Sequence, residues 1–331
     1  MFLIFYIFFD DSGLPLKLGV FNHYSQIRHI PQIAYIKLGM RRGKISSLGG
    51  SSVVTISSRQ AKNSETGSAA WVALLSQCIE CIGTEEFPKT LVNALKTFAD
   101  IDYSVAFAYH QNERPLCLCH TFSPEKKAIY VDDYQMGPYL LDPFFKACSR
   151  HIDTGLYRIS DIAPDRFYQS EYYRSYYNQT GLSDEICYAF YLDKGVAVVI
   201  SMMRSGESPR FSAREFRLLG NVVSLVVSMA QRHWRDLPEK FATNPANDQQ
   251  PDNYSLIEKT VSDMFSKRLT PRENQVVAQV LEGHSSDSIA RDLGISVGTV
   301  RIHRRNVYAK LQISSQQELF AIFFKKITNN Q

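Results

Sequence analysis

Residues 269–319 constrain the fold most, because signals that start and stop helices alternate along this stretch. Thr270 is placed to cap a helix, Pro271 follows at the first helical position, and Glu273 stands three residues after the cap. Gly283 then supplies a stop. The pattern therefore predicts a helix that begins after Thr270 and ends before Gly283.

Two further helices follow at short spacing. Ser285 or Ser286 can cap the second helix, which Gly294 ends, and Ser296 can cap a third helix over residues 297–311. Two helices that cross at a short glycine turn predict a helix-turn-helix. A turn of about 100° per residue gathers the apolar positions of the third helix into one stripe that should face the other helices. This stripe consists of Val300, Val307 and Leu311.

The opposite side of the third helix is basic. Gly298, Arg301, Ile302 and Arg305 share it, and no carboxylate occurs in this helix. Such a face suits the major groove of DNA, where guanidinium groups can contact guanine O6 and N7 or grip phosphates. We expect Arg301 and Arg305 to contact bases or phosphates, and Arg304 to reach a backbone phosphate. The alternative is an ordinary solvated charged face, which the helix-turn-helix spacing disfavours.

This stretch resembles the LuxR-type helix-turn-helix. It departs from the usual family pattern at Ser288 and Gln316, where we expect polar contacts within the domain. The resemblance implies an all-α, four-helix DNA-binding domain in which Arg301 contacts DNA and a final helix, here residues 315–326, contributes to dimerisation. The matching positions are Leu269, Thr270, Arg272, Glu273, Gly283, Ile289, Ala290, Leu293, Ile295, Ser296, Thr299, Val300, His303, Lys310, Leu311, Glu318 and Leu319. The candidate DNA-binding residues are Thr270, Arg272, Ser296, Gly298, Thr299, Arg301, Ile302, Arg304 and Arg305.

The hydrophobic content of 44% and the charged content of 21% are typical of an ordinary soluble protein. Its 331 residues suffice for two domains with sizeable cores, and the net charge of +4 is too small to imply nucleic acid by itself. The six cysteines lack the dense spacing of a secreted scaffold, so we expect a reduced, cytoplasmic setting. Their two close pairs, Cys78 with Cys81 and Cys117 with Cys119, suit small core residues better than a zinc site. We therefore expect neither a metal nor a cofactor.

The first part of the chain shows little periodicity. Its opening nine residues are all apolar or aromatic, but a bilayer span takes about 20 residues, so no membrane association is expected. We expect residues 1–68 to form a poorly ordered extension, and our hypothesis is that translation begins at Met40. Mass spectrometry of the natural N-terminus tests this, and a peptide covering residues 21–28 would contradict it.

Residues 69–235 show the pattern of an α/β sensor or dimerisation domain. Strands in the middle with helices at both ends predict a central antiparallel sheet flanked by helices, a GAF/PAS-like arrangement. Residues 236–255 are rich in Pro, Asn, Asp and Gln and predict a flexible linker, which leaves 256–331 for the helix-turn-helix domain. The predicted helices are 71–82, 87–98, 134–149, 167–179 and 212–234, and the predicted strands are 103–109, 116–121, 185–192 and 196–203.

A flanked sheet of this kind commonly encloses a small-molecule pocket, and aromatic residues crowd positions 130–177. Tyr130, Tyr134 and the pair Asp142-Pro143 make this region similar to the acyl-homoserine-lactone-binding domain that precedes LuxR-type units. That resemblance implies that Tyr130, Tyr134 and Asp142 bind the polar parts of a ligand. Tyr134 replaces the family's usual tryptophan, and a later pocket tryptophan has no counterpart, so the ligand class stays open.

Three functions remain to be compared. The leading hypothesis is a dimeric DNA-binding transcriptional regulator that recognises a specific sequence through residues 297–311 and is controlled by a small molecule. The alternative keeps DNA binding but makes the N-terminal domain a ligand-independent module for dimerisation or a protein partner. An enzyme is disfavoured, because the sequence contains no phosphate loop, no metal-spaced His/Glu cluster and no G-x-S-x-G motif.

Overall fold

The computed structural model describes residues 71–111, 113–175, 177–241 and 256–329, together with the backbone of two strands near the N-terminus. These strands, β1 (Phe5–Phe9) and β2 (Pro15–Val20), pair antiparallel. The chain divides into two compact units, Met1–Ile56 and Ser57–Gln331. The remainder of the predicted extension, including Met40, lies outside the described residues.

The second unit is organised around a five-stranded sheet with the order β4-β3-β7-β6-β5, in which every neighbouring pair is antiparallel. Both faces of the central strands are covered, so β7 is buried along nearly its whole length. The predicted antiparallel sheet flanked by helices is thereby confirmed, while the edge strand β5 was not predicted. The strands are β3 (Tyr103–Tyr109), β4 (Leu116–His120), β5 (Gly155–Arg158), β6 (Leu182–Tyr191) and β7 (Ala197–Ser205).

Five helices cover one face of this sheet and form an apolar core with it. The single helix predicted over 212–234 is interrupted at Asn221 and Val222. The stretch predicted as a linker begins with a short helix whose Leu237 and Phe241 are buried, and its remainder from residue 242 lies outside the described residues. The five helices are α1 (71–80), α2 (Phe87–Leu95), α7 (Ala213–Gly220), α8 (Val223–His233) and α9 (Leu237–Phe241).

Short helices cover the other face, where two longer helices were predicted wrongly. Gly137, with φ +146°, and Pro138 interrupt the one expected over 134–149, and Asp142 caps a new helix after them. Extended backbone at Ser170 interrupts the helix expected over 167–179. The α-helices here are α3 (Pro124–Lys127), α4 (Pro143–Ser149), α5 (Ile159–Ile162) and α6 (Glu171–Ser175). A π-helix (Ala128–Asp133) and 3₁₀ helices (Pro138–Leu141, Phe167–Gln169, Tyr177–Thr180) complete this layer.

The C-terminal region consists of five helices, and the predicted ends of the three that lie between Thr270 and Leu311 are confirmed. Thr270 and Glu273 form a reciprocal capping box, and Ser285 and Ser296 each accept a cap hydrogen bond. The apolar core of these helices is continuous with the core beneath the sheet's second face. The helices are α10 (Leu256–Phe265), α11 (Pro271–Glu282), α12 (Ser286–Leu293), α13 (Val297–Leu311) and α14 (Gln316–Asn329).

None of the helices in the described ranges combines the length and apolar character that a membrane span requires. Over the same ranges, no three His, Cys, Asp or Glu side chains come together as metal ligands would.

Candidate DNA-binding surface and interior aromatic cluster

Helix α13 lies with one face in the domain and the other face outward. The predicted stripe of Val300, Val307 and Leu311 is buried, and α13 packs against α11 and α12. This burial turns the basic side away from the domain, where Arg301 and Arg305 are exposed. The outward surface of α13 is therefore cationic.

The helix start adds polar groups to this surface. The Ser296 hydroxyl accepts a hydrogen bond of 3.0 Å from the Thr299 amide and lies 2.8 Å from the Thr299 hydroxyl. Gly298 is exposed beside them, and Ile302 is 49% exposed. An exposed isoleucine between two arginines offers an apolar contact of the kind that a thymine methyl group accepts.

Two of the predicted arginines already have partners within the domain. Arg272 donates hydrogen bonds to the Leu293 carbonyl and to Gln275. Arg304 reaches Ser286, Tyr308 and Gln316 at 3.3–3.4 Å. Both guanidinium groups therefore link helices as well as lying near the proposed surface.

The polar contacts expected at Ser288 and Gln316 are present. The Ser288 hydroxyl lies 3.0 Å from Nδ1 of His284. Gln316 donates a hydrogen bond of 3.3 Å to the Val280 carbonyl and accepts one from Arg304. These contacts join the successive helices of the C-terminal region.

The predicted ligand residues lie in a buried aromatic cluster on the second face of the sheet. Tyr134 donates a hydrogen bond of 2.6 Å to Oδ2 of Asp142, and its hydroxyl lies 3.0 Å from that of Tyr109. Oδ1 of Asp142 accepts a hydrogen bond of 2.8 Å from the Phe144 amide. Burial raises the pKa of Asp142 above its ordinary value. The structure thus brings Tyr134 and Asp142 into direct contact.

Tyr130 has a different partner. Its hydroxyl donates to the carbonyl of Thr180, and its ring stacks on Phe122 with centroids 4.4 Å apart. The predicted trio of Tyr130, Tyr134 and Asp142 is therefore one hydrogen-bonded pair and one tyrosine bonded elsewhere.

A second buried carboxyl group, Glu185, was missed by the sequence analysis. It lies on β6, is 6% exposed, and accepts a hydrogen bond of 3.0 Å from the Tyr177 hydroxyl. Burial raises the pKa of Glu185, and the charge of Asp142 raises it further. Strand alternation offered a signal, because Glu185 shares the parity of Cys187 and Ala189 on β6, both of which are buried in the core on this face.

Comparisons with known proteins find a family model and relatives that are transcriptional regulators. The sequence family described as "Bacterial regulatory proteins, luxR family" matches residues 267–323. A putative HTH-type transcriptional regulator in the exeN 3' region of Aeromonas salmonicida is 30% identical over 189 residues, which cover 56% of this chain and 94% of that protein. The monoamine regulon transcriptional regulator of Klebsiella aerogenes is 37% identical over 70 residues, covering 19% of this chain and 31% of that protein. The crystal structure of the VqsR LBD domain from Pseudomonas aeruginosa aligns with 50% of this chain and 95% of its own at 26% identity and a TM-score of 0.45.

Proposed function

Because the chain belongs to the luxR family of bacterial regulatory proteins, and is accordingly a transcriptional regulator with a helix-turn-helix, we propose that it binds a specific DNA sequence as a homodimer through α13. In this proposal residues 69–235 form the sensor and dimerisation domain, and 256–331 form the DNA-binding domain. Of the stretch 236–255 predicted as a linker, α9 packs on the sheet domain, and the remainder is the linker. Thr270, Arg272, Ser296, Gly298, Thr299, Arg301, Ile302, Arg304 and Arg305 form the surface that meets double-stranded DNA.

One observation carries the proposal of sequence recognition. Arg301 and Arg305 are exposed on α13, and among the described residues neither makes a hydrogen bond or an ion pair. A major groove about 12 Å wide accommodates a helix, and an unpaired guanidinium group is free to form bidentate contacts with guanine. In the proposed homodimer, two such helices would recognise successive grooves if their centres lay about 34 Å apart.

The test begins with selection of bound sequences from a pool of random duplexes, using the full chain. An enriched motif is expected, and the double substitution Arg301→Ala with Arg305→Ala should weaken binding to it by about 100-fold, because each bidentate contact contributes about 1–3 kcal/mol. Arg214→Ala with Arg217→Ala is the matched control, since it removes the same charge from an exposed site on α7. Absence of an enriched motif, or equal affinity in the two double variants, would overturn the proposal.

We further propose that a small molecule controls this regulator by binding at Tyr130, Tyr134 and Asp142. The half-buried carboxyl group of Asp142 beside aromatic rings suits a ligand that offers an N–H or O–H donor and an apolar body. Such a donor would compete with Tyr134 for Oδ2 of Asp142, and only a ligand that favours one arrangement of the protein over another can control it.

A ligand-independent module is the second candidate. It is favoured by the hydrogen bonds that join Tyr134 to Asp142 and Tyr177 to Glu185, because these polar groups are satisfied by the protein itself. A native mass spectrum of the freshly purified chain separates the two candidates. A dimer with added mass that Asp142→Asn loses while remaining folded supports the ligand, a dimer without added mass supports the module, and a monomer contradicts a preformed dimer.

A further inference from the structure

The turn between α11 and α12 lies against the sheet domain through a buried ion pair. The ammonium group of Lys146, on α4, contacts the carboxylate of Glu282 at the end of α11, and their side chains are 12% and 4% exposed. Lys146 Nζ also lies 3.3 Å from Nε2 of His284. Burial and the charge of Lys146 lower the pKa of His284 to about 4, so its neutral ring can accept a hydrogen bond there.

Two hydrogen bonds donated by backbone amides fix the position of the turn next to this ion pair. The Arg166 amide donates 3.0 Å to the Gly283 carbonyl, and the Ser285 amide donates 2.9 Å to Oδ1 of Asp165. Gly283 also allows close approach, because an added Cβ would lie 3.2 Å from Cα of Phe167. The contact therefore depends on one specific relative placement of the two surfaces.

Helix α14 extends the same contact. Ile327 packs over Gly137, where an added Cβ would lie 2.8 Å from its Cδ1, and α14 also contacts α6. One ion pair, one backbone hydrogen bond, one hydrogen bond from a backbone amide to the Asp165 carboxylate and an apolar helix face thus hold the C-terminal helices on the sheet domain.

Helix α4 connects this contact with the interior cluster. Asp142 caps α4 through the Phe144 amide, and the Lys146 amide donates 3.0 Å to the Asp142 carbonyl. Four helical residues span about 6 Å along the axis. A shift of Asp142 therefore carries Lys146 with it.

We propose that the Lys146–Glu282 ion pair is a latch that holds the helix-turn-helix unit on the sheet domain. Through α4, formation of this ion pair depends on the contacts of Asp142. Removing Lys146 would leave the Glu282 carboxylate buried beside the neutral ring of His284, 3.6 Å away. A buried charge that has lost its oppositely charged partner favours the arrangement in which water reaches it. The closed latch fixes α13 relative to the sheet domain. The dependence on Asp142 rests on the ligand site proposed above, whereas the latch itself does not.

Amide hydrogen exchange of the full chain tests the latch without DNA or an effector. In Lys146→Met, the amides of Arg166 and Ser285 should exchange at least tenfold faster, while those of β6 and β7 keep their protection. Lys127→Met is the matched control, because Lys127 forms an exposed ion pair with Asp132 in the same domain. The exchanged pair Lys146→Glu with Glu282→Lys should restore at least part of the protection.

Two results would overturn the latch. One is unchanged exchange at Arg166 and Ser285 in Lys146→Met. The other is loss of protection throughout β6 and β7 in that variant without recovery in the exchanged pair, which would assign Lys146 to global stability.

Asp142→Asn tests whether Asp142 affects the ion pair through α4, because this substitution should also accelerate exchange at the amides of Arg166 and Ser285. Unchanged exchange would restrict the proposal to the ion pair. None of these exchange measurements bears on whether α13 binds DNA.

Discussion

Lys310, in the last turn of α13, places its ammonium nitrogen 2.7 Å from Oε2 of Glu273 in the first turn of α11. The same oxygen accepts hydrogen bonds from the amide and hydroxyl of Thr270 at 2.8 and 3.0 Å. A single buried carboxylate thus caps α11 and anchors the C-terminal end of the helix proposed to meet DNA.

Removing this carboxylate should destabilise the C-terminal helices. Glu273→Ala loses both the cap and the ion pair and should lower the free energy of unfolding by about 2–3 kcal/mol, whereas Glu273→Gln keeps part of the capping box and should lose about 1 kcal/mol. Urea unfolding followed by circular dichroism measures both changes. Equal stability of Glu273→Ala and the parent would show that the carboxylate is dispensable.

The pH dependence of this effect has a defined sign. Burial alone would raise the pKa of Glu273, but hydrogen bonds from Lys310 and Thr270 hold it below the ordinary value of 4.5. A lowered pKa stabilises the folded state above that ordinary value, and the stabilisation is lost as the pH falls through the folded-state pKa. The gap between parent and Glu273→Gln should therefore close in acid.

Alanine substitutions at Arg301 and Arg304 should have different effects on DNA affinity and on the free energy of unfolding. Arg304→Ala removes contacts with Ser286, Tyr308 and Gln316 and should cost about 1–2 kcal/mol of unfolding free energy. Arg301→Ala should change stability by less than about 0.5 kcal/mol, because its side chain is exposed and unpaired in the described structure. It should nevertheless weaken binding to the selected duplex about tenfold or more. Thermal unfolding and fluorescence anisotropy measure the two effects, and marked destabilisation by Arg301→Ala would contradict its placement.

The ends of α11, α12 and α13 could be predicted from sequence because their signals are local. A capping hydroxyl, an early proline and a left-handed glycine each act within a few residues, as Thr270, Pro271 and Gly283 do here. The breaks near Gly137 and Pro143 also carried local signals, but apolar periodicity across them favoured one longer helix. The helix-turn-helix was consequently predicted better than the layer that contains Asp142.

Long-range pairing was beyond reach of the sequence. Lys146 and Glu282 are 136 positions apart, and nothing near either residue indicates its partner. The contact between Tyr134 and Asp142 spans only eight residues, yet the Tyr109 hydroxyl that contacts Tyr134 comes from β3, 25 positions earlier. Such contacts follow from the packing of whole layers, which periodicity does not determine.

Two glycines with the same local role should respond differently to alanine. Gly283 and Gly294 both end helices with positive φ, at +96° and +63°. Gly294→Ala should cost about 1 kcal/mol of backbone strain, since no neighbouring atom lies within 4 Å of the added Cβ. Gly283→Ala should cost about 3 kcal/mol, because the added Cβ would lie 3.1 Å from Cβ of Ser170 and 3.2 Å from Cα of Phe167.

Urea unfolding compares the two variants, and hydrogen exchange at the Arg166 amide locates the difference. We expect faster exchange only in Gly283→Ala, because its extra cost arises where the turn meets the sheet domain. Equal costs for the two substitutions would mean that this contact contributes little to the folded state.

Glu185→Gln should stabilise the protein in alkaline solution. Burial and the charge of Asp142 raise the pKa of Glu185, so the folded state retains its proton to higher pH than the unfolded state does. Stability then falls as the pH rises from the ordinary value of 4.5 through the raised pKa. Glutamine keeps a neutral hydrogen-bonding group at every pH. The free energy of unfolding of Glu185→Gln should therefore exceed that of the parent by on the order of 2 kcal/mol at pH 8, and this difference should vanish near pH 4. Glu239→Gln, at an exposed site on α9, is the control. Parallel pH profiles of unfolding free energy for Glu185→Gln and the parent would mean that Glu185 meets enough water to ionise normally.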